Sequence, residues 1–144
     1  MKRFNISFIV SLISIGLFIF GLLSVGYASS SDKEMTELEG KWESIVKFAD
    51  ITFIFSGNNF SVETPNPSFW YKGTFTLHTD KDPKQIDLLI NESGIPPYKG
   101  RTMLGIYKFE EDILVLVINQ PGSPNYPQSF EKKGGAVEYK LKKE

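Results

Sequence analysis

A single histidine, His78, and the absence of any cysteine limit the chemistry open to this chain. One histidine cannot build a multi-histidine metal site, and without thiols there is no zinc-thiolate centre, cysteine nucleophile, disulfide framework or cysteine-borne lipid anchor. No serine has the flanking glycines of a nucleophile elbow. His78 stands at the end of a candidate strand beside charged turn residues, where an exposed turn position is a better reading than a general base. Asp80 and Asp82 have the spacing that opens a calcium loop, but no glycine or closing glutamate follows where one is required. They read as turn formers ahead of Pro83. Asp87 is expected on an outer sheet face near Thr76 and His78, in a cross-strand hydrogen bond or ion pair. Glu110, Glu111 and Asp112 read as a solvated hairpin tip. The expectation is therefore a protein with no catalytic constellation, no metal site and no cofactor.

Aromatic residues carry the stronger signal. Phe53, Phe55, Tyr71, Phe75, Tyr107 and Phe109 fall on the face of each candidate strand that alternation assigns to the interior, with Trp70 adjacent on the other face. In a small barrel such rings either meet and fill the centre or line a cavity for one small ligand. The Pro/Gly-rich segments 64–68, 94–100 and 121–135 could border a mouth, with Tyr98 and Tyr126 near its rim. The six interior rings and Tyr126 make up the candidate ligand-binding set.

The elements that must position these residues follow a period of two. Candidate strands are Lys41–Phe48, Ile51–Ser56, Asn59–Glu63, Phe69–His78, Gln85–Asn91, Thr102–Glu110, Ile113–Asn119 and Ala136–Lys142. Turn chemistry separates them at Gly57-Asn58, Pro65-Asn66-Pro67, Asp80 to Pro83, Gly94 to Pro97 and Glu111-Asp112. Eight short strands, mostly tightly connected, predict an all-β antiparallel meander closed into a small barrel, which removes its edges. Alternation sets the register of two hairpins. Leu77, Phe75 and Gly73 should face Ile86, Leu88 and Ile90, and Gly105, Tyr107 and Phe109 should face Ile118, Leu116 and Leu114. Gly73, among bulky neighbours, marks a kink or a close strand crossing. The opposite face of the second hairpin, with Leu104, Ile106, Val115 and Val117, is too apolar for a solvated surface. The 121–135 segment, the N-terminal linker, or a protein partner or second copy could cover it.

The N-terminus has a different character. Lys2 and Arg3 precede an apolar run from Ile6 to Leu23, and Gly26-Tyr27-Ala28 supplies the small residues of a cleavage site after Ala28. Residues 1–28 read as a signal peptide, with an uncleaved signal anchor through 6–23 as the competing reading and the only expected link to a membrane. Either implies an extracytoplasmic domain, secreted or periplasmic. Residues 29–39 read as a polar linker and 40–144 as the barrel domain. Beyond Lys2 and Arg3, 14 basic residues face 17 acidic ones, and Arg101 is the one remaining arginine. That balance gives no basis for nucleic-acid binding.

Gly73-Thr74-Phe75, Lys84 after Pro83, Ile86-Asp87-Leu88, Gly105-Ile106-Tyr107, Asp112-Ile113-Leu114 and Pro121-Gly122 occur in one order along the chain. Together they resemble a small, uncharacterised bacterial family, lipocalin-like, first described in planctomycetes. The resemblance extends upstream to Gly40-Lys41-Trp42, similar to the G-x-W signature of lipocalins, and downstream to Phe130. It implies a lipocalin-like (calycin-like) barrel in which Gly40 permits a tight chain turn and Trp42 fills the closed end. Gly73, Asp87 and Gly105 then take structural roles. Two departures stand out. Lipocalins cover that tryptophan with a basic residue on the last strand, for which Lys140 or Lys142 would have to serve. Tyr126 stands where the closer family has an arginine. The functional expectation is an exported binding module holding a small apolar or amphipathic ligand. The alternative is an interaction or inhibitor-type envelope protein with a filled core, working through its apolar outer face and the 121–135 loop.

Overall fold

In the computed structural model the described residues are 26, 28–46, 50–131 and 133–144. The expected signal peptide or anchor, with its apolar run at 6–23, lies outside them apart from residues 26 and 28. Among the described residues no helix is long and apolar enough to cross a membrane.

The described residues form one short α-helix, α1 (Ser30–Leu38), and eight strands. These are β1 (Gly40–Ser44), β2 (Thr52–Ser56), β3 (Asn59–Glu63), β4 (Tyr71–His78), β5 (Gln85–Ser93), β6 (Thr102–Glu110), β7 (Ile113–Ile118) and β8 (Val137–Lys143). Every neighbour pair is antiparallel and sequential, and β8 returns to β1 to close the barrel. Among the described residues closure leaves no unpaired strand edge to template association. Alternation places one side of each strand in a continuous core running from Trp42 through Phe55, Phe75 and Leu88 to Leu141.

Both expected hairpin registers are present. Leu77, Phe75 and Gly73 pair with Ile86, Leu88 and Ile90, and Gly105, Tyr107 and Phe109 pair with Ile118, Leu116 and Leu114. The β4–β5 ladder shifts between Lys72 and Gly73. A Cβ on Gly73 would lie 1.8 Å from the Leu89 carbonyl oxygen, so the backbones approach there as only glycine allows.

The expected 29–39 linker is instead α1. Ser29 caps it: its hydroxyl accepts from the Asp32 amide and its own amide donates to the Asp32 carboxylate, each at 3.2 Å. The buried stripe is Glu34 and Leu38, four residues apart, with Met35 packed beside them. A carboxylate in the stripe hides its periodicity from hydropathy. The helix ends where Gly40, at φ +125°, turns the chain into β1.

The described residues of segment 121–135 cross the outer face of β5–β7 as a strap. Gly122 donates to the Thr102 carbonyl at 2.9 Å, and Asn119 Nδ2 donates to the Asn125 carbonyl at 2.7 Å. Pro127 is buried and Phe130 packs on Ile106, Val117 and Ala136, with Lys108 Nζ 4.5 Å above its ring. Ile106, Val115 and Val117 are at most 2% exposed, and Leu104 is half-buried. Of the covers expected for this apolar face, the 121–135 segment is the one that packs on Ile106 and Val117, through Phe130, and it takes their apolar area out of water.

Candidate functional site

The two barrel ends differ. At one end α1 forms a plug. Trp42, 3% exposed, donates from Nε1 to the Leu38 carbonyl at 2.7 Å, satisfying a helix C-terminal acceptor. Lys143 lies over that ring at 5.3 Å and donates to the Glu37 carbonyl at 3.0 Å. The covering cation is thus Lys143 rather than Lys140 or Lys142. On β8, Leu141 and Lys143 share the inward side, and the two expected lysines point out. Beneath the plug the Glu34 carboxylate accepts from the Tyr107 hydroxyl at 2.6 Å and pairs with Lys84. Burial, and then this hydrogen bond, drives the Tyr107 phenol well above its usual range.

The opposite end opens into a cavity of about 160 Å³. Val62, Met103 and Ile118 supply aliphatic wall, and Phe53, Phe69, Tyr71, Tyr98 and Tyr139 supply aromatic wall. Asn119, Gln120, Pro121 and Val137 add the remaining lining where β7 ends and β8 begins. The rings meet at angles: Phe53 and Tyr139 edge to face at 5.2 Å, Phe69 and Tyr71 edge to face at 5.3 Å, and Tyr71 and Tyr98 tilted at 6.1 Å. This mutual bracing holds the walls apart without filling the space between them. Among the described residues no charged side chain lines the cavity. Tyr71 is pushed up to about 12 by burial first, then by its neighbours Tyr98 and Tyr139, and burial also raises Tyr139. Both stay protonated donors across ordinary pH.

The expected ligand-binding set therefore divides by height. Phe53 and Tyr71 line the cavity. Phe55 and Phe75 meet edge to face at 5.1 Å and fill the barrel below it. Tyr107 and Phe109 belong to the plugged end, where Trp42 contacts Phe109 at 6.1 Å. Tyr126 is not at the rim: it is on the strap and donates to Asp87 Oδ1. Reading missed Phe69, Met103, Ile118 and Tyr139 as lining. A height count from the hairpin turns would have found them, since each lies on the inward side near the same barrel end.

Asp87 forms a separate knot on the outer face. His78 Nε2 lies 2.9 Å from its Oδ2, the cross-strand contact expected, while Tyr126 takes the other oxygen. Both carboxylate oxygens are engaged, so the group ties the strap to the β4–β5 hairpin. His78 is half-buried in this knot rather than an open turn residue. Among the described residues no group of three or more metal-ligating side chains converges.

Comparison of the chain with protein-family models, curated proteins and solved structures finds no match.

Proposed function

We propose that the protein is a non-catalytic binding module, lipocalin-like in design, that takes one small apolar or amphipathic molecule into the open end of its barrel. The observation that carries this reading is the aromatic-walled cavity of about 160 Å³ above a filled lower core and a plugged floor. A packed domain rarely leaves such a space by default. An apolar cavity of about 150 Å³ takes one benzene, so the occupant is the size of a single ring. The lipocalin-like part of the proposal is supported by Gly40 at φ +125°, Trp42 at the closed end and the Lys143 cation above it. An extracytoplasmic location remains part of the proposal, supported by the Lys2-Arg3 start, the apolar run and the Gly26 to Ala28 site.

Native mass spectrometry of the protein, isolated without detergent from cells expressing the full-length gene, tests the reading. The expected result is excess mass that leaves as a small molecule on denaturation and is absent from the cavity-filling variant Val62→Phe. An equal excess in both proteins would count against it.

A further inference from the structure

Resting on the proposed function, we infer that the ligand is an uncharged single-ring compound bearing a hydrogen-bond acceptor, which the hydroxyls of Tyr71 and Tyr139 receive. Among the described residues the lining contains no Asp, Glu, Lys, Arg or His. An ion entering it would give up hydration with no partner of opposite charge, a loss of several kcal/mol that a site of this size does not recover. A pure hydrocarbon meets the opposite difficulty. Among the described residues the Tyr71 and Tyr139 hydroxyls have no hydrogen-bond partner, yet no buried side-chain polar atom is left sealed and unpaired. Each hydroxyl therefore keeps accessible surface, and both tyrosines line the cavity. A hydrocarbon would strip those donors of water and return nothing.

An acceptor on the ring removes that penalty. Tyr71 and Tyr139 belong to β4 and β8, and both inward faces border the cavity. They remain donors because ionisation of either phenol is disfavoured by burial. Tyr98, on the short turn at Pro96–Tyr98, closes on Tyr71 from the rim. Ring recognition comes from the aromatic walls and orientation from the two hydroxyls, the usual division of labour in small-molecule sites.

The test is a set of NMR titrations of the protein purified from cells expressing the full-length gene, using toluene, cyclohexanone, benzoate and benzylammonium. Wild type should bind toluene and cyclohexanone and neither ion. In Tyr71→Phe/Tyr139→Phe, cyclohexanone should weaken about tenfold, the worth of one to two neutral hydrogen bonds, while toluene stays within about twofold or tightens. Retained toluene binding also reports that the variant is folded, and Tyr139→Phe alone serves if the double variant is not. Toluene binding with cyclohexanone unaffected by the substitutions overturns the inference and leaves the binding reading standing. So does benzoate or benzylammonium binding as tightly as cyclohexanone. Failure of all four to bind overturns the binding reading itself.

Discussion

Removing one oxygen atom from the plugged end should loosen the whole barrel. Tyr107 is 1% exposed and its hydroxyl donates to Glu34 at 2.6 Å, while the Glu34 side chain is only 11% exposed. Tyr107→Phe leaves the ring in place and opens almost no cavity, so packing changes little. What it takes away is a short hydrogen bond to a carboxylate, worth about 1.5–3 kcal/mol when buried. Among the described residues the carboxylate then keeps Lys84 as its one remaining side-chain partner. For a domain of this size that loss lowers the thermal midpoint by roughly 6–12 °C. Urea unfolding followed by far-ultraviolet circular dichroism should show a lower midpoint with an unchanged slope. Glu34→Gln completes a double-mutant cycle: in that background Tyr107→Phe should cost less than about 1 kcal/mol, because the charge that strengthened the bond is gone. A cost below about 0.5 kcal/mol in the wild-type background would refute the reasoning. Equal costs in both backgrounds would do the same, since they would mean the hydroxyl and carboxylate are not coupled.

Gly73→Ala should destabilise the fold by about 3 kcal/mol or more, since its Cβ would sit 1.8 Å from a backbone oxygen and the β4–β5 ladder must separate; a urea midpoint near that of wild type would contradict the close approach. Tyr126→Phe should free the strap locally, costing about 1 kcal/mol and lowering amide protection in 121–131 about fivefold without touching β2 or β3; hydrogen exchange reads this directly, and unchanged protection would remove Asp87 from its role. Alkali should unfold the protein through its tyrosines. Tyr71 and Tyr126 are each raised to about 12, chiefly by burial, whereas an unfolded tyrosine ionises near about 10. The native state therefore holds more protons between those values, and the stability this provides is complete below pH ~10 and lost as pH rises to ~12. Urea midpoints measured across that window should fall, less steeply in Tyr71→Phe, and a flat profile would contradict the burial of these phenols.

Most of the barrel is legible in the chain because strand alternation and turn chemistry agree along it. Asn59–Glu63 and Thr102–Glu110 are found at the expected bounds, and the registers around Phe75–Leu88 and Tyr107–Leu116 follow from which residues must share a face. The helix is not legible, because Glu34 occupies the position where an apolar residue would complete its stripe. The reason for that carboxylate, Tyr107, is 73 residues away, and no local pattern carries such a contact. The same distance problem affects the site. Reading sorts residues by face but not by height, so Phe55, Phe75, Tyr107 and Phe109 enter one set with Phe53 and Tyr71, though only the last two reach the cavity. Tyr126 shows the limit for loops. Its hydroxyl joins Asp87 across 39 residues because the strap has an apolar face at Ile106 and Val117 to lie on, and a turn-rich segment does not announce where it will lie.

The most direct test of a ligand site in the open end is a toluene titration followed by side-chain methyl NMR. The account predicts saturable shifts at Val62, Met103 and Ile118, whose methyls line the cavity, with Leu114 and Leu141 at the plugged end unmoved. Shifts centred on Leu114 and Leu141, or none at all with either toluene or cyclohexanone up to their solubility, would contradict it.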